Sequence, residues 1–153
     1  MEGMTLGGSD GTGLDTRAVD GIIGYRLRRA QLQVFAGFIE RFGEVGLTPA
    51  EYSVLVLVAD NPGHMQSTVA AALGIKRANL VALVEGLARR ELIDRRRPAN
   101  DRRAHALHLT AAGEKLVARI RTLQQGFEAE IVERLGGEAE RDTLMKLLQR
   151  LAD

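Results

Sequence analysis

The 153-residue sequence has no cysteine and no tryptophan. Without thiols there can be no disulfide, no Cys-ligated zinc or iron–sulfur cluster, no thiol nucleophile and no peroxide-sensing thiol. Aromatic residues make up only 4%, too few for the stacking platforms that hold single-stranded nucleic acid. No apolar run approaches the ~20 residues of a membrane-spanning helix, and no signal-peptide pattern opens the chain. The expectation is a cytoplasmic protein with no membrane partner. Proline occurs three times, at Pro49, Pro62 and Pro98, each where a helix would start, stop or turn.

What is present is ordinary for one globular domain, with 45% apolar and 27% charged residues. The net charge of +1 conceals an asymmetry. Between Lys76 and Arg103 nine basic residues (Lys76, Arg77, Arg89, Arg90, Arg95, Arg96, Arg97, Arg102, Arg103) stand against four acidic ones. That window carries +5 and the rest of the chain −4. Such a segment is either the footprint of a polyanion-binding face or a solvated charged surface.

Residues 1–16 hold five glycines and no periodicity, which reads as a disordered lead-in. Gly11-Thr12-Gly13 lacks the strand and the Gly-Lys-Ser/Thr of a phosphate loop. From about Asp20 to Gly43 the positions Ile23, Leu27, Ala30, Val34 and Phe38 recur at helical spacing, with Phe35 and Phe42 widening the stripe. Thr48-Pro49-Ala50-Glu51 is a capping box with proline at the first helical position. It favours a buried helix over a strand for Val54–Ala59, stopped by Asn61-Pro62-Gly63. A short helix over Met65–Leu73 ends at Gly74, and a second runs from Arg77 to Arg90 with Leu80, Leu83, Val84 and Leu87 inward. Two short helices joined by a tight Gly-containing turn form a helix-turn-helix. Leu92–Arg97 and Ala104–Leu109 read as strands around the turn Pro98–Asp101, so an Arg-rich hairpin, a wing, follows the second helix. Thr110 caps a long helix with the stripe Leu116, Ile120, Leu123, Phe127, Ile131 and Leu135, broken at Gly136-Gly137. A last helix carries Leu144, Leu147, Leu148 and Leu151.

The expected fold is therefore mainly α with a small β-hairpin wing. A lead-in (1–16) precedes an N-terminal dimerisation helix (17–46). A winged helix-turn-helix DNA-binding domain (47–110) and C-terminal dimerisation helices (111–153) follow. The terminal helices offer more apolar surface than so small a winged domain can cover, which calls for a second copy in a symmetric dimer.

Several stretches carry a family resemblance over about residues 20–150. They are Leu47-Thr48-Pro49, Asn61-Pro62-Gly63, Val69-Ala70, Leu73-Gly74-Ile75 and the Leu87…Leu92-Ile93…Arg95 exit. The most specific is Asp101-Arg102-Arg103…Leu109-Thr110-Ala111-Ala112-Gly113. With them the chain resembles the MarR family of bacterial winged helix-turn-helix regulators. Glu91 stands where the family usually has glycine, so a differently built corner is expected there. Lys76 stands where Asp or Ser commonly caps. Ala78, Asn79 and Ala82 replace the Ser, Thr and Arg often seen on the reading face. The resemblance implies a homodimeric transcriptional regulator, most often a repressor, that answers a small effector. It also implies an effector pocket between the dimer helices and the DNA-binding lobe.

In a helix-turn-helix the N-terminal residues of the second helix meet base edges in the major groove. Here these are Arg77, Ala78, Asn79, Val81 and Ala82. Asn79 can pair bidentately with adenine and Arg77 with guanine, while Val81 or Ala82 can touch a thymine methyl. The plainer alternatives are a phosphate contact for Arg77 and a helix cap for Asn79. Gln66, Ser67 and Thr68 suit phosphate contacts that set register, and Arg95, Arg96 and Arg97 supply salt-sensitive attraction to the backbone. At the wing, Asp101 can hold Arg103, and Arg102 or Arg103 can enter the minor groove; the resemblance favours Arg103. Tyr25, Arg28 and Arg29, beside Arg26 and an apolar stripe, suit an aromatic carboxylate or an acyl-CoA effector. The plain alternative is that these arginines are solvated or pair across the dimer.

No cofactor or metal is expected. His105 and His108, three apart in a strand, face opposite sides, and no serine sits in a nucleophile context. An enzyme is therefore not the reading. The alternative function is a winged-helix module for protein–protein contacts without specific DNA binding.

Overall fold

The computed structural model describes residues 14–97 and 105–152, and the chain divides after Gly37 into two units. In the first, helix α1 (Arg17–Asp20) is a single turn and α2 (Ile23–Phe42) begins three residues later. The expected helix from Asp20 thus starts in two pieces. Thr16 Oγ1 donates to the Asp20 carboxylate at 2.7 Å, and Arg26 donates to the Asp20 carbonyl at 2.7 Å. These bonds tie the short turn to the first turn of α2. Most of the α2 stripe in this unit, including Ile23, Leu27 and Phe35, is exposed. Of the lead-in, residues 1–13, with the Gly11–Gly13 run, lie outside the described residues.

The second unit starts with the end of α2. Phe38 and Phe42 stack at 4.1 Å, with Tyr52 edge-on to both at 5.5 and 5.6 Å and Phe127 edge-on at 6.3 and 6.4 Å. Burial pushes the Tyr52 phenol above its ordinary pKa. Helix α3 (Pro49–Asp60) follows a 3-10 turn at Gly43–Val45. Its capping box is complete: Glu51 N–H donates to Thr48 Oγ1 at 3.2 Å, and Thr48 N–H donates to the Glu51 carboxylate at 2.9 Å. Val54, Leu55 and Val58 on α3 are fully buried. The all-round apolar run is thus a core helix, as the cap implied.

Helices α4 (Gln66–Ala72) and α5 (Arg77–Arg89) pack on α3. Strands β1 (Ile93–Arg96) and β2 (Ala106–Leu109) pair antiparallel, Ile93 opposite Leu109 and Arg96 opposite Ala106. The sequence pattern places the start of the first of these helices at Met65. Met65 is instead extended and bridges to Ala106. Three bonds zip this segment to the outer edge of β2: Gly63 N–H to Leu107 O at 2.8 Å, Leu107 N–H to His64 O at 3.0 Å and Gln66 N–H to His105 O at 3.0 Å. The edge of β2 is thereby covered, and both Ala106 and Leu107 are buried.

Helix α6 (Ala111–Leu135) starts at Thr110, whose Oγ1 accepts from Gly113 N–H at 3.0 Å. It buries Val117, Ile120 and Phe127. Helix α7 (Glu138–Ala152) follows Gly136-Gly137, and its Met145, Leu147, Leu148 and Leu151 are exposed. Among the described residues no single helix is long and apolar enough to cross a membrane.

Candidate nucleic-acid interface

The turn between α4 and α5 bends the chain by 113°, within the range of helix-turn-helix units. Gly74, at φ 63°, makes it possible. It lets Gly74 N–H reach Ala71 O and Ile75 N–H reach Ala70 O, both at 3.1 Å, which satisfies the last carbonyls of α4. Leu80, Val84 and Leu87 then anchor α5 in the core, and Leu83 is half-buried. This leaves Arg77, Ala78, Asn79 and Ala82 exposed on one face, with Val81 half-buried beside them. Lys76 supplies no side-chain cap to α5. Asn79 is exposed and does not cap the helix either, whose N-cap is Lys76.

At the far end of α5 the chain turns through Glu91 at φ 56°. Glu91 N–H bonds Ala88 O at 2.9 Å and Leu92 N–H bonds Leu87 O at 3.0 Å, the pair of bonds that normally accompanies a glycine. The expectation of a differently built corner is corrected: the same left-handed turn forms with a glutamate in it. Thr110 locks this corner, its hydroxyl donating to Glu91 O at 2.6 Å and its N–H to Leu92 O at 3.1 Å.

Alternation along β1 separates the arginines that the sequence reading grouped. Arg95 pairs with Glu85 of α5 at 3.6 Å and lines a cleft with Arg77, Gln66, Ser67 and His105 on the α5 side of the hairpin. Arg96 pairs with Asp94 at 3.6 Å. It lines a different space, a cavity of about 540 Å³ between the end of α3, the hairpin and the start of α6. Val58, Leu109, Val117 and Ala118 give that cavity an apolar wall, and His108, Glu114 and Arg121 a polar one. Arg121 forms an ion pair with Asp60 there. His105 and His108 thus face different spaces, as their spacing implied. Among the described residues no three His, Cys, Asp or Glu side chains gather at a point that could hold a metal ion.

Ser67 and Thr68 are exposed at the start of α4, but Gln66 is buried. Tyr25, Arg28 and Arg29 lie on α2, where Arg29 sits 6.0 Å over the Tyr25 ring. None of the three lines the 540 Å³ cavity. Asp101, Arg102 and Arg103, with the turn from Pro98, lie outside the described residues. The sequence reading missed Glu85 and Arg121. Glu85 had a signal, since Arg77, Val81 and Glu85 recur every four residues and share one face of α5. Arg121 had none, because its partner Asp60 is 61 residues away.

The MarR family model matches residues 45–104, the stretch from the turn before α3 through β1 and up to β2. A putative transcriptional regulatory protein for the hcr operon of Thauera aromatica is 37% identical over 132 residues, 86% of this chain and 79% of that protein. The solved structure of the transcriptional repressor CouR bound to a 23-mer DNA duplex superposes with a TM-score of 0.85 at 39% identity. It covers 92% of this chain and 99% of CouR. CouR bound to p-coumaroyl-CoA gives 0.83 at 38%, over 91% and 97% of the two chains. A winged helix-turn-helix that leaves Arg77 and Asn79 exposed on α5, with this degree of likeness to transcriptional regulators, has one reading: the chain belongs to the MarR family of transcriptional regulators.

Proposed function

We propose that the protein is a cytoplasmic homodimeric repressor, not an enzyme, that reads a pseudo-palindromic operator in double-stranded DNA and releases it on binding an aromatic carboxylate or its CoA thioester. The observation that carries this reading is the exposed α5 face bearing Arg77 and Asn79, on a fold shared with a DNA-bound repressor at 39% identity. Arg77, Ala78, Asn79, Val81 and Ala82 read base edges, with Asn79 on adenine and Arg77 on guanine. Ser67, Thr68 and Arg95 hold phosphates, and Arg103, braced by Asp101 and flanked by Arg102, enters the minor groove.

The second copy covers the exposed apolar residues of α2 and α7 and sets the two recognition helices about one DNA turn apart. The effector reading rests on the CouR complex with p-coumaroyl-CoA and on the 540 Å³ cavity, whose apolar wall suits an aromatic acyl group. Arg96 and Arg121 there offer cations for a carboxylate or the CoA phosphates; on α2, Arg28 and Arg29 with the Tyr25 hydroxyl are a second candidate set for the same groups. The cavity touches α3, the hairpin and α6 at once. A ligand in it can favour one arrangement of these elements over another, which is the only way an effector can change DNA affinity.

Fluorescence anisotropy with the DNA upstream of the protein's own coding region, a scrambled control and two salt concentrations tests the reading. Salt-sensitive preference for the upstream duplex, reversed by p-coumaroyl-CoA or a related thioester, is the expected result. Binding to neither duplex at low salt would favour the protein-interaction alternative. Replacing Ala118, an exposed residue of the cavity lining, by Trp fills the cavity and should abolish the thioester's effect while leaving DNA binding intact.

A further inference from the structure

The cleft on the α5 side of the hairpin has a volume of about 260 Å³ and joins the start of α4, one face of α5 and the hairpin. Gln66 lines it and is only 8% exposed, yet its Nε2 has no hydrogen-bond partner. Buried amide donors are almost always paired, and this one is closed to solvent, so the Gln66 side chain has to turn before its amide can meet a partner in the cleft. The backbone N–H of the same residue is already satisfied, by His105 O at 3.0 Å. Around the orphan amide the cleft gathers further donors, the guanidinium groups of Arg77 and Arg95 and the Ser67 hydroxyl. The strong acceptor among its side chains is Glu85, and Glu85 faces Arg95 at 3.6 Å. A site with this surplus of donors fits a group that only accepts. It does not fit a cation, because two guanidiniums already line it and carry donors only.

We propose that this cleft seats a tetrahedral oxyanion, a phosphate of the DNA backbone or free inorganic phosphate, and that Glu85 competes with it for Arg95. In the free protein the carboxylate holds the guanidinium. When a phosphate enters, Arg95 turns to it, the Gln66 side chain turns so that its amide gains an acceptor, and Glu85 is released to solvent, while Arg77 stays available to a base. The proposal rests on the DNA-binding reading for the source of the phosphate but not for the site itself. Glu85 thereby lowers affinity for every sequence equally, since the phosphate carries no base information.

The experiment follows the Gln66 side-chain amide resonances of the full chain by NMR. Inorganic phosphate is titrated against chloride at equal ionic strength, and then an operator duplex and a scrambled one are added. Saturable shifts with inorganic phosphate and with both duplexes are expected, and shifts with the duplexes alone would assign the seat to the DNA backbone. In parallel, Glu85→Gln should tighten binding to both duplexes by roughly two- to fivefold, the worth of one exposed ion pair. Gln66→Met, which keeps the side chain's length, should weaken both alike. Unmoved Gln66 resonances in the presence of phosphate and bound duplex would overturn the proposal. So would a loss of affinity in Glu85→Gln confined to the operator, which would make Glu85 a base reader. If neither duplex binds the wild-type chain, the regulator reading fails, and the inorganic phosphate titration alone still decides the cleft: saturation supports the seat, no shift rejects it.

Discussion

Gly113 shows what the Leu-Thr-x-x-Gly stretch is for. A Cβ built there would stand 2.1 Å from the Leu92 carbonyl oxygen, far inside contact distance. That same oxygen accepts from Thr110 N–H, so backbone meets backbone where α6 leaves the wing. Alanine inside a helix ordinarily gains about 1 kcal/mol over glycine. Here the clash reverses the sign, and Gly113→Ala should cost roughly 2–3 kcal/mol as the wing root and α6 are forced apart. Chemical denaturation measures it, and a stabilised variant would mean that the close approach does not exist. Glu91 is the converse. A side chain at φ 56° costs about 1–2 kcal/mol, and glycine gives back part of that through unfolded-state entropy. Glu91→Gly should therefore stabilise by about 0.5 kcal/mol, with DNA affinity unchanged. The sequence marked both positions, but it could not say that the corner keeps its shape with glutamate in it. The bonds from Thr110 that hold the corner come from 18 and 19 residues further along the chain.

Among the elements, those with local signals were legible. The Thr48–Glu51 capping box, Gly74 and the Thr110 cap mark helix ends through contacts three or four residues apart, and all three ends lie where they were read. Met65 was misread because its partner, Ala106, is 41 residues away, and nothing near Met65 announces a strand. Charge alone puts both Arg95 and Arg96 on the DNA backbone, because it does not reveal which face of a strand a residue takes. The period of two sends them to different spaces. On α5 the exposed face separates two kinds of contact. Asn79→Ala should weaken operator binding by roughly 10-fold and scrambled-DNA binding very little, as expected for loss of a bidentate base pair contact. Arg103→Ala on the wing should weaken both. Equal losses on the two duplexes for Asn79→Ala would remove its base-reading role.

At the scale of the whole molecule, the apolar surplus counted in the sequence reappears as exposed area. On α7, Leu147 is 50% and Leu151 62% exposed, and on α2 Ile23, Leu32, Phe35 and Ile39 are exposed as well. Such faces on two separate helices are more than a monomer ordinarily leaves to water. A second copy related by two-fold symmetry would cover them and would match a palindromic operator. The periodicity of each helix was legible because it is local. The identity of the covering partner was not, because a stripe at helical spacing looks the same whether its own chain or another chain buries it. Leu147→Glu with Leu151→Glu puts two charges on the α7 face and leaves the core residues of α3, α5 and α6 untouched. Sedimentation should then report a folded monomer with unaltered far-ultraviolet circular dichroism. Because the second half-site is no longer bound at the effective concentration that the dimer supplies, operator affinity should fall by roughly 100-fold or more. The loss on scrambled DNA should be smaller, since its many weak sites need no fixed spacing. A dimer that survives both glutamates would move the interface off α7, and an unchanged operator affinity in a monomer would sever dimerisation from recognition.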